Sequence, residues 1–381
     1  MATRTIGIIV NGATGRIGGT QHLANALAPI RDEGGLPAGG DRIVPRLMLV
    51  GRDAARVGAV AKQHGAQWTT DLGAALADPV FTVFFDAAAT HQREAVLAKA
   101  IAAGKHIYAE KPVALTVERG RKLLQAAQAR ALKHGAVEDK LHLPGLQKLA
   151  RLMASDFFGR VVGFRIEFGW WVFDGTEVPC QRPTWNYKRA SSGGLILDMY
   201  PHWRYVIEGL LGPMRRVVTA LSTVTPERID EKGARYAVDV EDNASTIVEL
   251  ESGAIGTILS SWATRVRRDD LLTFQIDGTK GSAIAGLHRC WAQSNAQTPH
   301  TAHFSVATDL NIDYRAKWTE VIEGVSPVNP YRVGWENFLR HVATGAPMQA
   351  DLAAGIRDVA FAQACYQSMK EARWISLEQH S

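Results

Sequence analysis

The stretch TIGIIVNGATGRIGG, residues 5–19, decides the fold. A short apolar run of strand length ends in glycines and passes at Arg16 into a helix-like segment that reaches Ala28. Gly12, Gly15 and Gly18 suit a tight strand-to-helix turn in which no Cβ blocks a phosphate from backbone N–H groups. The helix N-terminus that follows offers free donors and partial positive charge to a pyrophosphate. We therefore read a dinucleotide-binding turn that sets Gly12, Thr14, Gly15, Arg16 and Ile17 against a cofactor. A glycine triplet alone also serves as a structural turn; its position straight after the first strand favours the nucleotide.

Outward from this turn, apolar strands alternate with amphipathic helices. Strands are expected at RIVPRLMLV (42–50), VFTVFFDA (80–87) and HIYAE (106–110), and helices at 54–64, 94–103 and 117–134. Such βαβ alternation implies a parallel sheet wound on both faces, a Rossmann dinucleotide-binding domain over 1–137. The glycine-rich RDEGGLPAGGD (31–41) reads as a loop insertion. Beyond 137 the runs lengthen and several alternate apolar with polar: VVGFRIEFGWWVF (161–173), MRRVVTALSTV (214–224), NASTIVELE (243–251), AIGTILSSWATRV (254–266) and LLTFQIDG (271–278). They predict an open, mainly antiparallel sheet with one face covered, in an α+β substrate-binding and oligomerisation domain over 138–381. A last amphipathic segment, 352–373, is expected to return as a helix onto the first domain. The fold class is thus α/β with an appended α+β domain.

A length of 381 residues suits two domains, and 46% hydrophobic with 21% charged residues is the balance of a globular protein. The net charge of +5 is spread over 43 basic and 38 acidic residues, too dilute to indicate nucleic acid but compatible with a small anionic ligand. Cys180, Cys290 and Cys365 lack metal-ligand spacing, so neither a metal site nor a disulfide framework is expected. The N-terminal run is too short for a signal h-region, and no stretch approaches the roughly 18 apolar residues of a membrane span. A cytoplasmic setting follows.

The end of the second long strand, LVGRD (49–53), bears on the cofactor's ribose. An acidic residue there binds a free 2′-hydroxyl, whereas Gly51 followed by Arg52 leaves room for a 2′-phosphate and a cation to pair with it. This favours NADP over NAD. In the competing reading Arg52 is solvated and Asp53 either caps the next helix or reaches the ribose itself.

The order and spacing of the glycine turn, of GKHIYAEKPVALT (104–116), of GGLILDMYPHW (193–203) and of DGTKGS (277–282) resemble the glucose-fructose oxidoreductase, inositol dehydrogenase and rhizopine-catabolism (Gfo/Idh/MocA) family over nearly the whole chain. The resemblance implies an NAD(P)-dependent oxidoreductase with Lys111 of the Glu110–Lys111–Pro112 motif beside nicotinamide and substrate, completed by Asp198 and His202. It also implies a homodimer or homotetramer assembled through the second sheet. Glu110 and Thr90 are expected near the cofactor, although AAATHQRE (87–94) departs from the family's Thr-Pro-Asn stretch. AVEDKLHLPG (136–145) departs from the family's Asn and Arg, so that Asp139 and Lys140 stand in their place as substrate contacts.

The chemistry fits these residue types. Oxidising a secondary alcohol needs a proton acceptor while carbon gives up hydride; an imidazole with a pKa near 6.5 suits the task, and Asp198 would orient it. Lys111 would stabilise alkoxide charge or, desolvated, take the proton itself. Asp198 is equally placed to cap a helix whose first turn contains Pro201. Upstream, CQRPTWNYKRASSGG (180–194) alternates donors with aromatic faces; Arg182, Trp185, Asn186 and Tyr187 would suit a sugar, glycoside or cyclitol, or simply pack as a loop. The charged run Arg265–Asp270 reads as a solvated turn or as an anion site for an acidic sugar. Two other functions use the same residues: redox-neutral glycoside hydrolysis through transient oxidation by bound NAD, and a non-catalytic dinucleotide sensor.

Overall fold

The computed structural model describes residues 2–264, 266, 270–300, 305, 312–324 and 326–377. Most of the Arg265–Asp270 run, at 265 and 267–269, lies outside the described residues.

The first sheet is built on β1 (Thr3–Asn11), whose residues Ile6 to Val10 are buried. Its companions are β2 (Leu36–Ala38), β3 (Asp41–Val50), β4 (Gln67–Thr69), β5 (Phe81–Asp86), β6 (His106–Ala109) and β7 (His134–Ala136). The path runs β3-β1-β5-β6-β7, with β2 and β4 both on the outer edge of β3. All pairs are parallel except β2 with β3. Strand order reverses between β1 and β5, the position at which open α/β sheets bind ligands beyond their carboxyl ends.

Local differences from the sequence reading have simple causes. The glycine-rich insertion is not all loop: Leu36 pairs with Ile43 and makes β2 an edge hairpin. The helix expected over 117–134 ends at Gln128, and β7 follows a turn through Ala131 at φ 53°. The helix expected from 94 begins at Thr90. Segment 16–27 is wound as a π-helix that continues as an α-helix over Ala28–Asp32.

The second sheet comprises β8 (Val161–Phe168), β9 (Met214–Ser222), β12 (Asn243–Leu250), β13 (Ile255–Ser261), β14 (Leu272–Gly278), β15 (Gly281–Ala285), β16 (Cys290–Ser294), β17 (Thr319–Glu320) and β18 (Ile375–Ser376). A separate hairpin holds β10 (Glu227–Ile229) and β11 (Arg235–Ala237). The order is β17-β16-β15-β14-β8-β13-β12-β9-β18, antiparallel except where β8 meets β13. β8 stops at Phe168, because Gly169 turns at φ 145° against the Ser261 carbonyl. In β12 and β13 alternate residues Ala244, Val248 and Ile258 are buried, while Ile247, Ile255 and Leu259 stay exposed on the open face.

Two helices return to the nucleotide domain. Pro330–Thr344, not foreseen from the sequence, inserts Trp335, Phe338 and Leu339 into the core around β1, β3 and β5. Leu352–Glu371 has a dual core role: Leu352, Ile356, Val359 and Ala360 join the first domain's core, Phe361, Ala362, Ala364 and Cys365 the second's. It ties the two sheets together. Among the described residues no helix is long and apolar enough to cross a membrane.

Candidate active site

The glycine turn has the shape of a phosphate cradle. Gly12 sits at φ 84°, and a Cβ there would lie 2.7 Å from the Ala87 carbonyl carbon. A Cβ on Gly18 would lie 2.4 Å from the Gly12 oxygen, so neither position tolerates a side chain. At Gly15 the nearest atom would be 3.4 Å away, and Gly15 and Arg16 are exposed. No side chain caps the helix that opens at Arg16, and no acidic residue occupies its first turn. Free donors, an open approach and no competing anion fit a dinucleotide pyrophosphate. Thr14 lies against Gly51, and Ile17 is half-buried in the same turn. Arg52 is exposed at the end of β3, while Asp53 caps Ala54–Gln63 by accepting from Arg56 N at 3.1 Å.

Beyond the switch point, Asp86 at the end of β5 accepts from Asn11 Nδ2 at 2.7 Å and from Arg93 Nε at 2.9 Å. Arg93 also donates to the carbonyls of Ala88 and Pro112, each at 2.8 Å, and so joins the segment containing Thr90 to the one containing Lys111. Glu110 is turned inward. Its Oε2 accepts from Lys111 N at 3.1 Å, and its Oε1 is 2.8 Å from His22 Nε2. Trp335 Nε1 donates to His22 Nδ1 at 3.0 Å, so the His22 proton is on Nε2 and points at Glu110. The first-turn helix, the lysine loop and the returning helix Pro330–Thr344 are thereby locked together.

Lys111 reaches across to the second domain. Its Nζ donates to Asp198 Oδ1 at 2.9 Å and to the Asp198 carbonyl at 2.6 Å. The other oxygen, Oδ2, forms an ion pair with Arg182 Nη1 at 2.7 Å. The Arg182 guanidinium in turn lies over the rings of Phe173 and Trp262, at 5.2 and 5.3 Å. Burial opposes ionisation of Asp198, but Arg182 and Lys111 outweigh it and hold the carboxyl below its usual range.

The helix carrying Asp198 starts earlier than expected, at Leu195, and runs to Leu211. Asp198 is not its cap. Glu241 performs that task, its Oε1 accepting from Ile196 N at 3.0 Å while its carbonyl accepts from Leu195 N at 3.2 Å. Pro201 consequently lies inside the helix rather than in its first turn. Gly194 enters at φ 128°, where a Cβ would strike Glu241.

His202 is oriented by partners other than Asp198. Its Nδ1 is 2.6 Å from the Tyr205 hydroxyl, which donates to Asp139 Oδ1 at 3.2 Å and accepts from Lys140 N at 3.1 Å. Lys140 Nζ closes on Asp139 Oδ2 at 2.6 Å. Burial first, then the charges of Lys111, Lys140 and Arg182, pushes the imidazole well below its usual pKa, so His202 is neutral at pH 7. Burial acts against the Asp139 carboxylate, yet Lys140 and Lys111 hold it ionised, below the usual range. Tyr205 was not singled out on sequence, although its spacing of three from His202 puts both on one helix face.

The aromatic loop divides. Trp185 is 43% exposed, whereas Asn186 is buried at 3% and its carbonyl accepts from Gly194 N. Tyr187 departs from the expected substrate contact: it is wholly buried, donates to the Phe173 carbonyl at 3.1 Å and stacks under the Arg228 guanidinium. Among the described residues no group of three or more His, Cys, Asp or Glu could hold a metal ion.

Comparison with known proteins bears on this geometry. Residues 6–135 match the oxidoreductase family model described as a NAD-binding Rossmann fold, and 146–284 match the GFO/IDH/MocA C-terminal domain. The chain is 41% identical over 381 residues to D-xylose dehydrogenase of Paenarthrobacter nicotinovorans, covering 98% of each. It is 24% identical to levoglucosan dehydrogenase of Pseudarthrobacter phenanthrenivorans, covering 82% of this chain and 84% of that one. A solved levoglucosan dehydrogenase, in complex with NADH and levoglucosan, has the same fold at a TM-score of 0.80 and 22% identity, over 99% of this chain and all of that one.

Proposed function

The chain belongs to the Gfo/Idh/MocA family of oxidoreductases, and from that premise we propose that it oxidises a hydroxyl of a sugar, with D-xylose the first candidate, using NAD(P). The observation that carries this reading is the pairing of Lys111 with Asp198 across the two domains, next to a neutral, buried His202. A bound nicotinamide would supply the hydride acceptor. Lys111, with two N–H groups engaged by Asp198, has a third to give to the reacting oxygen and so favours alkoxide character there. Arg182 keeps Asp198 ionised and thereby keeps Lys111 in place. His202 and Lys140 border the same site from the second domain.

Gly12, Gly15 and Arg16 would hold the pyrophosphate. Use of Asp53 as a helix cap, with Arg52 exposed beside it, supports NADP over NAD. The exposed Ile247, Ile255 and Leu259 on the open sheet face support self-association as a homodimer or homotetramer. Three free cysteines support a reducing, cytoplasmic setting.

The test is to incubate the purified protein with NAD or NADP and a panel of aldoses, cyclitols and aryl glycosides. Reduction of cofactor in step with D-xylose or another sugar is expected. Aglycone release without net reduction would instead indicate a redox-neutral glycosidase, and cofactor binding with neither signal a sensor.

A further inference from the structure

We propose that Tyr205 and Asp139 form a positioning relay that fixes His202 as the Nδ1–H tautomer, so that Nε2 presents the lone pair that accepts the substrate proton. The relay rests on the dehydrogenase reading for its catalytic consequence, but the tautomer follows from hydrogen-bond accounting alone. A phenol hydroxyl has one hydrogen to give and two lone pairs. Tyr205 Oη meets three groups: the Lys140 N–H at 3.1 Å, Asp139 Oδ1 at 3.2 Å and His202 Nδ1 at 2.6 Å. A backbone N–H only donates. An ionised carboxylate only accepts, and Asp139 is kept ionised by the Lys140 ammonium at 2.6 Å.

The single hydroxyl hydrogen therefore belongs to Asp139, and both lone pairs accept, one from Lys140 N–H and one from His202 Nδ1–H. The reverse assignment, with Tyr205 donating to His202, would leave two oxygens facing each other at 3.2 Å without a proton in a buried site. Tyr205 is 1% and Asp139 4% exposed, so water does not dilute this preference. Nε2 has no hydrogen-bond partner among the described residues.

The consequence for the reaction is a division of labour. The substrate O–H bond breaks and its proton goes to His202 Nε2; a bound oxidised nicotinamide would supply the acceptor for the hydride that the adjacent carbon gives up as the carbonyl forms. The imidazolium so created stands among three cations, Lys111, Lys140 and Arg182, that disfavour it. Asp139, whose Oδ1 is 3.7 Å from Nδ1 and linked to it through Tyr205, faces them as an anion, while the Asp198 carboxylate on the same helix as His202 is taken up by Lys111 and Arg182. Lys111 then serves the oxygen as a donor rather than as the base.

The first measurement needs neither substrate nor cofactor: nitrogen-15 NMR of the histidine rings, with the His202 signals identified by their loss in His202→Gln. The wild type should show Nδ1 protonated and Nε2 unprotonated near pH 7, and Tyr205→Phe should move the ring toward the Nε2–H form. An Nε2–H wild type overturns the relay, whatever the protein's activity. In turnover, Tyr205→Phe should lower kcat about tenfold to hundredfold while sugar KM and cofactor Kd change little. The acid limb of its kcat/KM profile should shift to lower pH, because the imidazolium loses its link to Asp139. Asp139→Asn, as a second variant, should shift the limb in the same direction. Unchanged pH profiles in both variants would overturn the assignment, and absence of turnover in the wild type would refute the dehydrogenase reading while leaving the NMR result to judge the relay.

Discussion

Lys111 illustrates how one side chain depends on residues far from it in sequence. Its ammonium is held by Asp198, 87 positions away, through two of its three N–H groups, and Asp198 is in turn shared with Arg182. Replacing Lys111 with Met keeps much of the aliphatic stem but removes the cation. We expect kcat to fall by about two orders of magnitude or more, with cofactor affinity nearly unchanged; turnover close to wild type would remove Lys111 from the mechanism. Arg52, exposed at the end of β3, makes a separate prediction. Because its guanidinium is exposed and Asp53 is occupied as a cap, Arg52→Ala should weaken NADP about tenfold while sparing NAD. Equal loss for both nucleotides, measured by titration, would deny it a phosphate role. Both candidates could be singled out in sequence because each sits in a motif with its own local grammar. Tyr205 could not, since an aromatic residue in a helix rich in apolar neighbours reads first as core.

At the scale of the element, the helix Leu195–Leu211 is the instructive case. From its sequence Asp198 looks like a cap, and the cap in fact arrives from Glu241 in the loop before β12. Glu241 also accepts from Tyr366 at 2.7 Å, so one carboxylate starts this helix and ties it to Leu352–Glu371. Removing it in Glu241→Ala should cost about 1–3 kcal/mol, for a lost cap and an orphaned phenol, and lower the calorimetric Tm. Glu241→Gln should recover part of the loss, since an amide oxygen still accepts; an unchanged Tm in the alanine variant would contradict this account. The short elements β2, β4 and Leu72–Ala77 escaped the sequence reading because they are too brief for a hydrophobic period to develop.

The whole molecule carries an electrostatic cluster at the junction of its domains. Arg204, two residues beyond His202, donates to Glu138 and Asp358, each at 2.6 Å, and to Glu208 at 3.0 Å. Burial, reinforced by Asp358, drives Glu138 above the carboxylate range, and burial also raises Asp358 against the pull of Arg204. A carboxyl with a raised folded-state pKa contributes stability that is full below its unfolded pKa and is lost as pH rises through the folded one. Asp139 and Asp198, both lowered, act in the opposite sense and withdraw stability as pH falls through their folded values. Thermal stability should therefore decline on both sides of a maximum. Glu138→Gln should flatten the alkaline decline in a series of melting curves; an unaltered alkaline limb would refute the role of Glu138. The glycine turn, the βαβ alternation and the lysine and histidine motifs could be read from sequence alone, because strand and helix periods and turn chemistry are local properties of a chain. The cap on Leu195–Leu211, the return of Pro330–Thr344 to the first core and the partners that orient His202 were decided only by the tertiary structure. Each is a contact between segments remote in the chain, and its stability comes from burial and charge pairing that exist only once both sheets have formed.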